Sequence, residues 1–71
     1  MDVRRLVGYN LRRLRLEKGW SQEELAFRSK LDRTYVSGVE RGIRNPTVLV
    51  LAQLGEALGV AETELLDRHK R

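Results

Sequence analysis

The stretch SQEELAFRSKLDRTYVSGVERGIRN, from Ser21 to Asn45, carries the signals of two short helices joined by a tight turn. Ser21 is predicted to cap the first helix by accepting from the Glu24 amide, while the Glu24 side chain reaches back to the Ser21 amide. Trp20, just before the cap, is placed to close against Leu25 as a hydrophobic staple. The pattern therefore predicts a helix that begins at Ser21.

A second helix is predicted from Asp32 to Gly42. Asp32 is a strong N-cap residue, and Leu31 before it is placed to staple to Val36. Gly42 tolerates the positive φ that suits a helix stop. Only residues 28–31 separate the two helices, and a connection this short forces the sharp crossing of a helix-turn-helix.

The chain before this pair is predicted to form one long helix. Apolar residues recur at the helical period over about residues 2–18, and Gly19 follows as a stop. Tyr9 and Leu16 fall outside this stripe, and we expect them to be partly buried. The stripe itself consists of Val3, Val7, Leu11 and Leu14.

Two further helices are predicted after the pair. The fourth opens at Thr47 and stops at Gly59. It is apolar on nearly all sides, which is typical of a helix that lies at the centre of a fold or is covered by another subunit. The fifth, about residues 62–68, is short and lacks a good N-cap residue. We therefore expect an all-α fold of five helices, a single domain over residues 1–71 with a frayed tail from about 66 to 71.

The charge of the chain is unevenly distributed. Its formal net charge is +4; residues 1–45 carry 11 basic and 6 acidic side chains, whereas residues 46–71 carry 3 and 4. The basic half contains the helix pair, which favours a polyanionic partner, although such a charge is also common on solvated surfaces. In a chain of 71 residues we expect no separate ligand-sensing or catalytic domain.

Several function classes find no support in the sequence. The chain has no cysteine, its only histidine is His69, and Glu23 and Glu24 point in divergent directions on one helix. The N-terminus lacks an uninterrupted apolar run. We therefore expect no enzyme and no catalytic residue, no metal, no cofactor, no small-molecule ligand, no membrane segment, and a cytoplasmic location.

The region from Arg15 to Leu66 resembles the helix-turn-helix domain of phage repressors and Cro-type bacterial regulators, a five-helix fold. Within that superfamily, residues 31–41 followed by Arg44 and Asn45 are similar to the controller proteins of restriction-modification systems. The wider resemblance rests on Ser21 to Ala26, on Val36 and Val39, on Glu40 with Gly42, and on Ala57 to Val60.

The resemblance implies a sequence-specific DNA-binding transcriptional regulator that binds an inverted-repeat operator on double-stranded DNA as a homodimer, in a bacterial or phage setting. RNA polymerase is then a candidate partner. The alternative is an antitoxin-type module that binds a partner protein and regulates its own gene. Such a protein should carry a toxin-wrapping segment, for which the short tail leaves little room. An RNA-binding protein is disfavoured because aromatic stacking platforms are few.

The resemblance assigns base reading to the start of the second helix of the motif, which enters the major groove. The residues concerned are Arg33, Thr34, Ser37 and Gly38. Arg33 can take guanine O6 and N7 together; the alternatives are a phosphate contact or a solvated side chain next to Asp32. A glycine inside a helix costs roughly 0.5–1 kcal/mol. Close approach to DNA would explain Gly38, and the alternatives are close helix packing or simple tolerance.

A second set of residues is assigned to the DNA backbone. Gln22 lies at a helix N-terminus, where free amides favour a phosphate, and in the family this glutamine also braces the recognition helix. Tyr35 either lies along the backbone or packs against the first helix. Arg44 can also reach a base. The remaining candidates for flanking phosphates are Arg12, Arg41 and Asn45.

The resemblance also assigns structural roles. Arg15 and Glu40 correspond to a partly buried ion pair that ties helix one to helix three. Lys30 fills a turn position where glycine or asparagine is usual, and a left-handed lysine costs roughly 1–2 kcal/mol. We expect the homodimer to use surplus apolar surface on helix four and the start of helix five. The interface candidates are Leu49, Leu54, Val60 and Leu65.

Overall fold

The computed structural model describes residues 2–68 and contains four α-helices followed by one 3-10 helix. No strand occurs within residues 2–68. The all-α prediction is therefore confirmed, with four α-helices in place of the predicted five. The helices are α1 (Val3–Glu17), α2 (Gln22–Ser29), α3 (Arg33–Glu40) and α4 (Val48–Leu58), and the 3-10 helix spans Glu62–Leu66.

The predicted fifth helix is wrong in type and in length. The segment forms a 3-10 helix of 5 residues, in which the Glu64 amide donates to the Ala61 carbonyl at 2.9 Å. Ala61 provides no side-chain cap for the first turn, and the poorer hydrogen-bond geometry of 3-10 structure keeps such helices short. Leu65, which is fully buried, anchors the segment on the core.

The predicted helix caps are present. The Ser21 hydroxyl accepts from the amide three residues on at 3.0 Å, and the Thr47 hydroxyl does the same for α4 at 3.1 Å. The Asp32 carboxylate accepts from the first amides of α3 at 3.0 and 3.3 Å. The second half of the predicted capping box is wrong, because the Glu24 carboxylate accepts from Arg28 Nε at 2.6 Å instead.

The turn between α2 and α3 depends on a left-handed residue. Lys30 adopts φ 61° and ψ 36°, and it is the one non-glycine residue within positions 2–68 that has a positive φ. The next amide, that of Leu31, donates back to the Ala26 carbonyl at 2.9 Å, as in a Schellman motif. Lys30 therefore takes the left-handed conformation at this turn position.

The core lies where the helix pair packs on α1 and α4. Helix α1 contacts α3 and the 3-10 helix, whereas α4 contacts α2 and the 3-10 helix. Within residues 2–68, no helix combines the length and apolar character needed to cross a membrane. The buried hydrophobic cluster comprises Val7, Leu11, Leu14, Leu25, Ala26, Val36, Val39, Leu51, Leu54, Leu58 and Leu65.

A buried asparagine holds the end of the chain on α1. Asn10 is fully buried, and its Nδ2 donates to the carbonyl oxygens of Leu65 at 3.0 Å and Asp67 at 2.8 Å. Leu65 and Asp67 are therefore held on α1 by hydrogen bonds at the start of the predicted frayed tail. The rest of the predicted tail, residues 69–71, lies outside the described residues.

Candidate nucleic-acid interface

Helix α3 turns one polar face to solvent. Arg33 and Thr34 are exposed and Ser37 is half-buried, whereas the opposite face supplies two fully buried valines to the core. Side chains three, four and seven residues apart share a face of an α-helix, so Thr34, Ser37 and the exposed Arg41 follow one another along this face. The predicted base-reading residues other than Gly38 therefore lie together on the open side of α3.

Within residues 2–68, the guanidinium of Arg33 is left without an ion-pair partner. Arg33 forms no salt bridge with any carboxylate of residues 2–68. The neighbouring Asp32 carboxylate instead accepts from the amides of Thr34 and Tyr35 as the N-cap of α3. Asp32 is thus engaged in the cap and does not pair with Arg33. The five N–H donors of the exposed Arg33 guanidinium are therefore available to a ligand.

Gly38 is buried beneath the side chain of Arg44. A Cβ added at Gly38 would lie 2.5 Å from Arg44 Cγ, and the Arg44 guanidinium stacks over the Tyr35 ring at 5.9 Å from its centroid. Gly38 therefore presents no open surface of its own, and its assignment as a base-reading residue is corrected. The structure thus places the side chain of a loop residue, and not a packed helix, over this glycine.

The Arg44 side chain reaches Tyr35 across this glycine. Tyr35 is half-buried and packs against the hydrophobic core, and its ring carries the guanidinium. Asn45 follows as an exposed residue of the loop between α3 and α4. Arg44 and Tyr35 therefore meet on the surface of α3.

A buried ion pair joins the three N-terminal helices. Arg15 donates from Nε to one carboxylate oxygen of Glu40 at 2.7 Å and from Nη2 to the other at 3.0 Å, and the two side chains are 8% and 3% exposed. Arg15 Nη1 also donates to the Trp20 carbonyl at 2.8 Å. Gln22 Nε2 donates to Glu40 Oε1 at 3.0 Å. The predicted pair and the predicted brace from Gln22 to α3 are both present, whereas a phosphate contact by Gln22 stays a prediction.

Three arginines line a groove where α1 crosses the end of α3. The groove is bordered by Arg5, Gly8, Tyr9, Arg12, Arg41 and Glu40, the last of which is paired with Arg15. None of the three arginines forms a salt bridge with a carboxylate of residues 2–68. Of these arginines, Arg5 was not among the predicted DNA-contacting residues, although its seven-residue spacing from Arg12 places both on one face of α1.

Gly8 sets how closely α1 and α3 approach at this groove. A Cβ added at Gly8 would lie 2.5 Å from the carbonyl oxygens of Val39 and Glu40. Because these are backbone atoms, a larger residue would push the two helices apart. The contact thus fixes the position of the arginine groove relative to the open face of α3.

Two of the four predicted interface residues are wrong. Leu54 and Leu65 are 0% exposed and lie in the core of the single chain. Helix α4 packs against both α2 and the 3-10 helix, so it buries two sides and not one. Val60 is half-buried and packs on the same core.

Exposed apolar surface remains at the N-terminal end of α4. Leu49 is 80% exposed, Val48 is 75% exposed, and Ile43 in the preceding loop is 59% exposed. We call these three residues the α4 patch. Leu49 is therefore the one predicted interface residue with a largely open side chain.

No group of three or more histidine, cysteine, aspartate or glutamate side chains within residues 2–68 is arranged to hold a metal ion.

The model of the helix-turn-helix family matches residues 11–65 of this chain. The chain belongs to this family. The helix-turn-helix protein is 54% identical over 66 residues to an uncharacterized HTH-type transcriptional regulator, y4dJ of Sinorhizobium fredii, a match that covers 93% of this chain and 86% of that one.

Two solved structures connect this helix-turn-helix protein to restriction-modification controller proteins. The controller protein C.AhdI of Aeromonas hydrophila is 50% identical, with a TM-score of 0.85 over 87% of this chain and 94% of that one. The controller protein C.Esp1396I, crystallised as a tetramer with its natural 35 base-pair operator, is 37% identical, with a TM-score of 0.81 over 94% of this chain and 99% of that one. The resemblance to controller proteins inferred from residues 31–45 is thus confirmed.

Proposed function

We propose that this transcriptional regulator binds an inverted-repeat operator as a homodimer and controls a restriction-modification system. The observation that carries the proposal is the open polar face of α3, which is held in place by the buried pair of Arg15 and Glu40. Support also comes from C.Esp1396I, a homologous controller protein crystallised on its operator. The proposed activity is binding without a catalytic step, by a single domain over residues 1–71 in the cytoplasm.

Base reading is proposed for Arg33, Thr34 and Ser37. An α-helix fits the major groove, and a guanidinium that donates to guanine O6 and N7 together gives about 1–3 kcal/mol of discrimination against a wrong base. Arg33 has this capacity because no carboxylate of residues 2–68 forms a salt bridge with it. The threonine can place its methyl group against a thymine and its hydroxyl against a phosphate.

Contacts to the DNA backbone are proposed for residues on both sides of α3. The arginine groove brings Arg12 and Arg41 together with Arg5. Such a cluster of positive charge favours binding of the DNA backbone, because counterions are released when arginines neutralise the phosphates. The first turn of α2 offers free amides to a phosphate beside Gln22. The backbone set is completed by Tyr35, Arg44 and Asn45.

The proposed dimer uses the α4 patch. Two-fold pairing would set two α3 helices about 34 Å apart along one side of the DNA, one helical turn, so that a palindromic site matches the symmetry of the protein. Leu49 and Val48 together present apolar side chains that are at least three-quarters exposed in the single chain. RNA polymerase is a further candidate partner where such an operator lies next to a promoter.

Two arginine variants test the division between base reading and backbone binding. Arg33→Ala should relax the base preference at one position of each half-site and cost about 1–3 kcal/mol on the operator. Arg12→Ala is the matched control. It removes a guanidinium from the arginine groove and should weaken binding to operator and random duplexes alike. Affinities are measured by fluorescence anisotropy at fixed salt. Equal losses on operator and random DNA for Arg33→Ala would contradict its assignment as a base reader.

A further inference from the structure

Gly38 and Arg44 are joined through the backbone. The Gly38 carbonyl accepts from the Ile43 amide at 3.0 Å and from the Arg44 amide at 3.3 Å. These bonds close the turn after α3 and set the point from which the Arg44 side chain starts. The loop that carries Arg44 is therefore fixed to α3 at the level of Gly38.

The Arg44 side chain occupies the space that a side chain at position 38 would need. A Cβ added at Gly38 would lie 2.5 Å from Arg44 Cγ, 3.3 Å from its Nε and 3.5 Å from its Cδ. The nearest of these atoms is at the start of the side chain, not at its flexible end, so a small shift of the guanidinium would not relieve the clash. Any residue larger than glycine thus forces Arg44 to leave the surface of α3.

The far end of the arginine rests on Tyr35, three residues before Gly38. The Arg44 guanidinium carbon lies 5.9 Å from the centroid of the Tyr35 ring, within the range of a cation–π interaction. The backbone, the stem and the guanidinium of Arg44 are therefore each held by α3. An arginine held in this way loses less side-chain entropy on binding than one that moves freely in solvent.

We propose that Gly38 is a positioning residue for DNA binding. Because Gly38 has no side chain, Arg44 can lie across α3 with its guanidinium over the Tyr35 ring, and its side chain is therefore ordered before DNA binds. The inference rests on the proposed function, in which α3 enters the major groove. In this proposal, a substitution at Gly38 weakens DNA binding because it displaces Arg44. If Gly38 instead let the DNA approach α3 directly, the effect of a substitution on affinity would not depend on Arg44.

Helix stability and DNA affinity should respond in opposite senses to a change at Gly38. Alanine is the better helix former in the interior of α3, so Gly38→Ala should leave the melting temperature unchanged or raise it. Affinity for the operator should nevertheless fall about tenfold, which corresponds to 1.4 kcal/mol. A role of Gly38 in packing alone predicts the reverse, a lower melting temperature with little change in affinity per folded molecule.

The decisive experiment is a double-mutant cycle on the full chain. Affinities of the wild type, Gly38→Ala, Arg44→Ala and the double variant are measured by anisotropy on one operator duplex obtained by selection. We expect each single variant to bind about tenfold more weakly and the double variant to match Arg44→Ala within a factor of about two, since the two changes act through one side chain. A full additional tenfold loss from Gly38→Ala in the Arg44→Ala background would overturn the proposal, as would wild-type affinity of Gly38→Ala.

A measurement without DNA provides an independent check. Nitrogen-15 relaxation of the Arg44 Nε–H group should report an ordered side chain in the wild type and a mobile one in Gly38→Ala. Equal order in both proteins would overturn the proposal even if affinity changes. Failure of the wild type to prefer its selected operator over random DNA would instead overturn the proposed function, so the two failures are distinguishable.

Discussion

Removal of one partner from the Arg15–Glu40 pair should destabilise the protein more than any single change on its surface. Both carboxylate oxygens of Glu40 are used by Arg15, and one of them also accepts from Gln22. Glu40→Leu would leave a guanidinium that is 8% exposed without its counter-charge. The residual bond from Arg15 to the Trp20 carbonyl cannot compensate for that charge.

The expected magnitude is a large part of the total stability. Breaking a buried ion pair from one side costs about 3–5 kcal/mol, whereas a domain of this length has roughly 4–11 kcal/mol in total, at about 0.05–0.15 kcal/mol per residue. For a domain of this size each kcal/mol lowers the melting temperature by about 4–8 °C. We therefore expect the melting temperature of Glu40→Leu to fall by roughly 12–40 °C.

The assay is a thermal and urea unfolding series on Glu40→Leu, Arg15→Met and the double variant. The double variant should be more stable than either single variant, because it leaves no unpaired buried charge. Glu24→Ala is the surface control: it removes an ion pair with Arg28 whose side chains are 40% and 50% exposed, and it should cost less than about 1 kcal/mol. Losses below about 1 kcal/mol for both single variants, or a double variant that loses their sum, would show that the stabilising effects of Arg15 and Glu40 do not depend on each other.

Two other pairs of variants test the turn and the dimer surface. Lys30→Gly should stabilise the protein by about 1 kcal/mol, because φ is 61° at this residue. Lys18→Gly is the control and should destabilise the protein, because φ is −82° there. Calorimetry that ranks the two variants the other way would contradict the strain at Lys30. Leu49→Glu should convert the dimer to a monomer in sedimentation with little change in folding, since Leu49 is 80% exposed. Leu54→Ala should instead lower stability by about 2–5 kcal/mol, and an unchanged dimer in Leu49→Glu would rule out the α4 patch.

The features that sequence reasoning predicted correctly are local ones. A cap depends on one side chain and the amides two or three residues on, so the caps at Ser21, Asp32 and Thr47 could be read directly. The turn position of Lys30 came from the family resemblance, and the structure shows its left-handed conformation. The pair of Arg15 and Glu40 came from resemblance to a family and not from spacing.

The features that it missed depend on contacts between distant parts of the chain. The neighbours of an apolar helix decide which of its sides are buried, and α4 packs against two neighbours. Periodicity alone therefore could not distinguish the buried Leu54 from the exposed Leu49. The bond from Asn10 to the Asp67 carbonyl spans 57 residues and fixes a segment expected to fray. Gly38 carried a visible local cost, but the Arg44 side chain that explains it appears only in three dimensions.

Selection of binding sites from random double-stranded DNA is the most direct test of operator binding by a dimer. The purified protein is expected to enrich an inverted repeat whose half-sites are centred about 34 Å, or one helical turn, apart. On that duplex, sedimentation should find two chains per repeat. Recovery of no enriched sequence, or of a single unrepeated half-site that binds one chain, would contradict a dimeric operator-binding regulator.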